Sequence, residues 1–230
     1  MQAVLSSINN PTPVDYFVQY TAKAALAANL SVWQPAHLRG DLATEWPSTK
    51  PLLDAILAQD KKAAEVVPYL QTLLGKEPQP EEQRNKAIQA ITDLSGGNAD
   101  NGKTVFRRSC IACHKVYGEG ADFGPDMMKV GTRLTPFKIV QSIIDPNAEI
   151  DAKYLSTLVL TDDGTVITGL LVSDTKEQVV IFDGKQKRTI PTDEIQERRQ
   201  VKQSSMPEGL AATLSPTEFL DVIALLKSLK

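Results

Sequence analysis

Residues that form disulfides or bind metals are scarce in this sequence, which holds two cysteines and two histidines among 230 residues. The two cysteines, Cys110 and Cys113, have only Ile111 and Ala112 between them. Two cysteines this close together exclude a fold held by a framework of disulfides. Such a pair is instead redox-active, binds a metal or is covalently modified. Any cysteine chemistry is therefore concentrated in one short segment.

The sequence also lacks long apolar runs and a strong net charge. No run approaches the roughly 20 apolar residues that a bilayer-spanning helix needs. The formal net charge of -3 gives no general attraction to nucleic acid or to an anionic membrane. Hydrophobic residues make up 42% and charged residues 23% of the chain, as in ordinary globular proteins. We therefore expect a folded chain with no transmembrane segment and no nucleic-acid partner.

The first part of the chain has the apolar spacing of α-helices. Helices are predicted to begin at Val14 and to run near 50–59, 62–75 and 81–95. The segment Ser95–Asn98 contains two glycines and indicates the end of this helical region. We therefore predict a helical domain over residues 1–96.

The second part begins and ends with helical patterns. A helix over 101–115 is predicted to carry both cysteines, and Thr135-Pro136 has the N-cap and first-turn residues of a helix that runs to Ile144. Ser215-Pro216-Thr217-Glu218 is a capping box that opens a final helix.

Between these helices the apolar spacing changes to that of strands. Five short strands are predicted, at Leu155–Thr161, Thr165–Val172, Gln178–Phe182, Lys187–Ile190 and Ile195–Gln203. The Asp-Gly pairs at 163–164 and 183–184 are typical hairpin turns. We therefore predict a small five-stranded insertion at about 153–203, β-barrel-like or a curled sheet, with adjacent ends and a core of its own.

The motif Cys110-Ile111-Ala112-Cys113-His114 carries the chemistry. Its two thiols can each add to a vinyl group of one haem, and the imidazole that follows can bind the iron. This pattern is that of c-type haem attachment, and histidine is a standard axial ligand of haem iron. The motif therefore predicts one covalent haem c, with its iron, at Cys110, Cys113 and His114.

Two other interpretations of the cysteine pair remain open. A thioredoxin-like redox pair lies at the start of a helix after a strand, whereas Val105 and Phe106 indicate a helix before Cys110. A structural zinc site usually needs four ligands, and the chain offers only one further histidine, His37. Both interpretations are less favoured than haem, and His37 is interpreted as a surface or capping residue.

The order of motifs around the cysteines resembles class I cytochrome c. The shared features are Gly102 and Phe106 before the haem motif, Gly124-Pro125-Asp126 after it, and Met206-Pro207 before a C-terminal helix. Residues 97–229 resemble more closely the haem-binding domain at the C-termini of large Planctomycetes–Verrucomicrobia-type proteins, through Ile144–Ile150, Thr168-Gly169, Ile190-Pro191 and Ser205–Leu210. The helical stretch before it resembles the HEAT-like region that often precedes that domain. The resemblance implies a mainly α fold, in which a HEAT-like helical domain is followed by a cytochrome c fold, residues 97–230, interrupted by the β insertion.

The resemblance also assigns roles to Pro125 and Met206. Met206 lies in a loop after the insertion and before the last helix, where the family has the second axial ligand of the iron. The carbonyl of Pro125 is implied to accept a hydrogen bond from the other ring nitrogen of His114, which fixes the tautomer. Met127 and Met128 are interpreted as flexible core-packing residues.

Axial ligation by His114 and Met206 leaves no open position on the iron. The predicted function is therefore electron transfer to a redox partner protein or a dehydrogenase domain, with no enzymatic activity of the module's own. The alternatives are a catalytic or sensing haem with an open distal site, and a non-haem interaction module. Haem is attached after export, so a periplasmic or otherwise exported location is expected. Met1–Leu5 lacks the features of a signal peptide, so we expect a removed signal or a fragment of a longer chain.

Overall fold

The computed structural model of the protein describes residues 30–42, 50, 53–54 and 60–230. The helix predicted to begin at Val14 and most of the helix predicted near 50–59 lie outside these residues. The described residues form two compact units. One holds the residues up to Lys103 together with Gly209–Ser228, and the other holds Thr104–Glu208 with Leu229–Lys230. The domain boundary after residue 96 stays a prediction, as does the likeness to HEAT repeats.

Helices make up most of the regular structure in the described part of the chain. They are α1 (Leu30–Leu38), α2 (Lys61–Leu74), α3 (Glu81–Asp93), α4 (Ala99–Ser109), α5 (Val130–Arg133), α6 (Pro136–Ile144) and α7 (Pro216–Ser228). The helices predicted at 62–75, at 81–95 and from Pro136 are confirmed, with small shifts at their ends. None of the described helices is long and apolar enough to cross a membrane.

In the first unit, the last helix packs closely against the start of α4. A Cβ atom on Gly102 would lie 2.2 Å from the backbone oxygen of Asp221 in α7, so the approach requires glycine. The buried carboxylate of Asp221 accepts a hydrogen bond from the backbone N–H of Asn98 at 2.6 Å. At the start of α7, Ser215 and Glu218 form the predicted capping box, each side chain accepting from the other's backbone N–H.

The second unit contains an antiparallel sheet of five strands. They are β1 (Leu155–Thr161), β2 (Val166–Asp174), β3 (Gln178–Phe182), β4 (Lys187–Pro191) and β5 (Ile195–Ser204), in the order β4-β3-β2-β1-β5. Two turns contain a glycine with positive φ, Gly164 at +84° and Gly184 at +89°, a conformation that glycine adopts without strain. All five predicted strands and both predicted hairpins are therefore confirmed.

The predicted barrel-like closure is wrong, because β4 and β5 are the two open edges of the sheet. Strong curl nevertheless follows from the chain path. The edges of a flat five-stranded sheet lie about 19 Å apart. Passing from Pro191 to Ile195 takes four Cα–Cα steps, which span at most about 15 Å. The sheet curls toward a barrel, but β4 and β5 do not form the ladder of hydrogen bonds that would close it. The lengths of the strands in the sequence do not reveal whether that ladder forms.

The sheet has its own apolar core and its ends lie side by side. Val159, Val179, Ile181 and Ile190 are buried together, with Ile167 and Ile195 packed against them. Leu155 at the start of β1 pairs with Ser204 at the end of β5. Both the separate core and the adjacent ends predicted for the insertion are thus confirmed.

Candidate functional site

Helix α4 leads directly into the cysteine motif. The backbone N–H groups of Cys110 and Ile111 both donate to the carbonyl of Phe106, at 2.8 and 3.1 Å. The bond from Ile111 to Phe106 spans five residues, which is typical of a helix C-terminus. Helix α4 accordingly ends at Ser109. The predicted helix over 101–115 is therefore too long, because the cysteines lie in the turn that follows the helix. In that turn the N–H groups of Cys113 and His114 both donate to the carbonyl of Cys110.

The glycine-rich loop after the motif folds back onto it. The carbonyl of Cys113 accepts hydrogen bonds from the N–H groups of Phe123 and Gly124, at 3.1 and 2.7 Å, and that of Ile111 accepts from Ala121. At the far end of the loop, Tyr117 and Gly118 both have positive φ, +50° and +78°. The backbone hydrogen bonds thus hold the loop against Ile111 and Cys113.

His114 is held in one orientation by this loop. Its Nδ1 lies 3.0 Å from the carbonyl oxygen of Pro125. Because a carbonyl can only accept, Nδ1 carries the proton and Nε2 has a free lone pair. Burial lowers the pKa of His114, and the bond to Pro125 only partly opposes that effect. The imidazole is therefore neutral near pH 7, in the tautomer that can bind a metal through Nε2.

Gly124 brings the loop backbone directly against the imidazole. A Cβ atom at this position would lie 2.6 Å from Cε1 and 2.7 Å from Nδ1 of His114. These distances are far below normal contact distances, so no side chain can be accommodated without movement. The glycine thus allows the contact that places the Pro125 carbonyl beside Nδ1.

The two thiols lack the electrostatics of a thioredoxin-like redox pair. Both are free and partly buried. Burial, and then the neighbouring Cys113, raise the pKa of Cys110 to about 11, and burial also raises the pKa of Cys113. A thioredoxin-like pair requires a lowered pKa at its attacking thiol, so the electrostatics oppose that interpretation.

A zinc site has no support in the described part of the chain. A structural zinc usually needs four ligands, and no three His, Cys, Asp or Glu side chains gather there in a suitable group. The residues do fit a covalently held haem. Cys110 and Cys113 would form the two thioethers, and the Nε2 lone pair of His114 would bind the iron.

Met206 lies in the loop between β5 and the last helix. Its backbone N–H donates to the Ser204 hydroxyl at 3.1 Å. Met206 lines a cavity of about 340 Å³, together with Thr168 of β2 and Asp183 of the turn after β3. His114 is not among the lining residues. Second axial ligation by Met206 thus remains a prediction.

Met127, Met128 and His37 have structural partners. Met127 is buried, as predicted for a packing residue, and the Met128 sulfur accepts a hydrogen bond from the Tyr117 N–H at 3.0 Å. His37 is 3% exposed, so the prediction of a surface position is wrong. Its Nε2 lies 2.9 Å from Oδ1 of Asp54.

One contact of the haem loop was not predicted. The ring of Phe123, which precedes Gly124, stacks on Phe182 of β3 with centroids 3.9 Å apart and planes at 13°. Lys187 of β4 lies over the Phe123 ring, with Nζ 5.5 Å from its centroid. The only sequence signal for this contact is Phe123 itself, an apolar aromatic residue in an otherwise polar, glycine-rich loop, which could have indicated that its ring has a buried partner.

Comparison with known proteins supports the same chemistry. Residues 99–157 match the family Cytochrome c, a span that runs from α4 through the motif and α6 into β1. A search of curated proteins finds none that matches the chain significantly. The chain therefore contains a cytochrome c-like domain, whose family implies covalently bound haem c and a redox partner.

Proposed function

We propose that the chain is an electron-transfer module with one haem c, attached at Cys110 and Cys113 and ligated by His114 and Met206. The observation that carries this proposal is the 3.0 Å bond between His114 Nδ1 and the Pro125 carbonyl, directly beside two free thiols. This bond leaves Nε2 as the only ring nitrogen able to bind a metal. When bound, haem iron supplies one-electron chemistry between its ferrous and ferric states.

The chain's own residues would set how readily that electron moves. The bond from His114 to the Pro125 carbonyl fixes the imidazole and makes it more basic. A more basic ligand stabilises the ferric state and lowers the potential. A thioether from Met206 acts in the opposite direction, because it favours the ferrous state. With both axial positions of the iron filled, the module needs only a path by which electrons reach the haem, and it needs no substrate site.

The context of the module follows from the family resemblance. We propose an exported, periplasmic location, where haem c is attached, and a redox partner that is a dehydrogenase on the same or another chain. We also propose that residues 97–230 form the haem domain, of the Planctomycetes–Verrucomicrobia type, after a HEAT-like helical domain. The module would then have no enzymatic activity of its own.

The spectrum of the exported, matured protein tests the His/Met ligation. The oxidised protein should show a weak sulfur-to-iron band in the far red, and Met206→Ala should abolish it, lower the potential and allow the ferrous protein to bind CO. Met128→Ala is the matched control, because this sulfur already accepts the Tyr117 N–H, and it should keep the band. Retention of the band in Met206→Ala would exclude Met206 as the ligand.

A second candidate function is a catalytic or sensing haem with an open distal position. In this candidate Met206 remains in the wall of its cavity and does not bind the iron. In that case the wild-type ferrous protein should bind CO rapidly and the far-red band should be absent. A wild-type protein that resists CO excludes this candidate.

A further inference from the structure

The aromatic stack links the β-sheet to the loop that contacts His114. Phe182, at the end of β3, is 6% exposed and lies next to Ile181 of the sheet core. Its ring stacks on that of Phe123, with centroids 3.9 Å apart and planes at 13°. The near-parallel rings of Phe123 and Phe182 therefore form a specific contact between sheet and loop.

The sheet holds Phe182 in a fixed position. Its backbone pairs with Leu170 of β2, and its carbonyl comes so close to Gly169 that a Cβ atom there would lie 2.1 Å from the oxygen. A larger residue at 169 would displace the strand. The Phe182 ring is thus presented by a rigid surface and not by a mobile end.

On the loop side, the path from the stack to the imidazole is short. Gly124 alone separates Phe123 from Pro125, and the N–H groups of Phe123 and Gly124 share the Cys113 carbonyl. The backbone of Gly124, the next residue after Phe123, lies directly against the imidazole of His114, so a shift of the Phe123 backbone would alter that contact. The sheet can therefore set the distance between the Pro125 carbonyl and Nδ1.

We propose that Phe182 is a positioning residue, through which the β-sheet maintains the His114–Pro125 hydrogen bond and so lowers the potential of the haem. The proposal rests on the proposed haem function and adds a role for the sheet within the site. If the stack is lost, the loop relaxes, the hydrogen bond lengthens and the imidazole becomes less basic. The ferric state then loses stabilisation, and the potential rises.

The test uses the full-length, haem-loaded protein. Phe182→Ala should raise the midpoint potential and speed the exchange of the His114 Nδ1 proton with solvent, measured by NMR of the ferrous protein. Val179→Ala is the matched control, because Val179 lies in the same strand and is fully buried in the sheet core. It should lower stability but leave the potential and the proton exchange unchanged. Phe123→Tyr, which keeps the stack, should retain the wild-type potential.

The outcomes separate this proposal from the function on which it rests. A wild-type protein without covalent haem, seen in its mass before any potential is measured, defeats the proposed function and this proposal together. A haem-loaded Phe182→Ala protein with wild-type potential and proton exchange defeats only the role of Phe182. Equal changes in Phe182→Ala and Val179→Ala would show a general effect of sheet stability and would also overturn it.

Discussion

Replacing Gly124 by alanine should damage the haem site through a direct clash with the imidazole of His114. The new Cβ would lie 2.6 Å from Cε1 of His114, whereas carbon atoms in contact lie about 3.5–4.0 Å apart. Imidazole and loop must therefore separate by about 1 Å. Overpacking of this kind costs about 1–3 kcal/mol, and the weakened bond to Pro125 adds about 0.5–1.5 kcal/mol.

We expect Gly124→Ala to lower the free energy of unfolding of the haem-loaded protein by about 1.5–4.5 kcal/mol and to raise its potential. Guanidinium titration followed by haem absorbance measures the first quantity, and redox titration the second. Gly118→Ala is the control in the same loop. Its Cβ meets no atom within 4 Å, but its φ is +78°, so it should cost about 1–2 kcal/mol without a change in potential. Equal effects of the two substitutions on both quantities would refute the steric reasoning.

Three further predictions concern separate parts of the molecule. Cys110→Ala should leave haem held by a single thioether to Cys113, detected by the mass of the denatured protein and by an altered haem spectrum; an unchanged spectrum would exclude Cys110 as an attachment residue. Hydrogen bonds from the Gln186 N–H, Arg188 and the Lys185 N–H lower the pKa of Asp183 to about 2. The stability that this carboxylate provides is therefore present above its unfolded pKa of 3.8 and is lost as the pH falls through about 2, so an NMR titration that gives an ordinary pKa would contradict the turn geometry. Ser215→Ala removes half of a capping box and should lower the free energy of unfolding by about 1 kcal/mol, measured by denaturation, whereas no loss would show that the cap is dispensable.

Local features of the fold could be predicted from the sequence because their signals are local. Strand alternation and the Asp-Gly turns placed the strands correctly, and the Thr135-Pro136 pair placed the start of α6. The end of α4 could not be predicted, because the motif continues an apolar helical pattern while its hydrogen bonds form a turn. The open edges of the sheet depend on whether β4 and β5 form a ladder, which neither strand's own sequence reveals.

The non-local parts of the site were out of reach for a similar reason. The motif alone predicts Cys110, Cys113 and His114 as site residues, since they lie within five positions of one another in the sequence. The stack of Phe123 on Phe182 joins residues of two distant segments, and no alternation or turn signal encodes such a pair. His37 was placed at the surface because its partner, Asp54, is 17 positions away, and an isolated histidine gives no sign of burial.

The mass of the denatured protein, after export in cells with cytochrome c maturation machinery, tests the central claim most directly. Denaturation removes a haem that is held only by axial ligands, whereas two thioethers survive it. The account predicts the mass of the chain plus one haem, and the mass of the chain alone when Cys110 and Cys113 are both replaced by alanine. A wild-type chain that matures in these cells with no added haem would contradict the account.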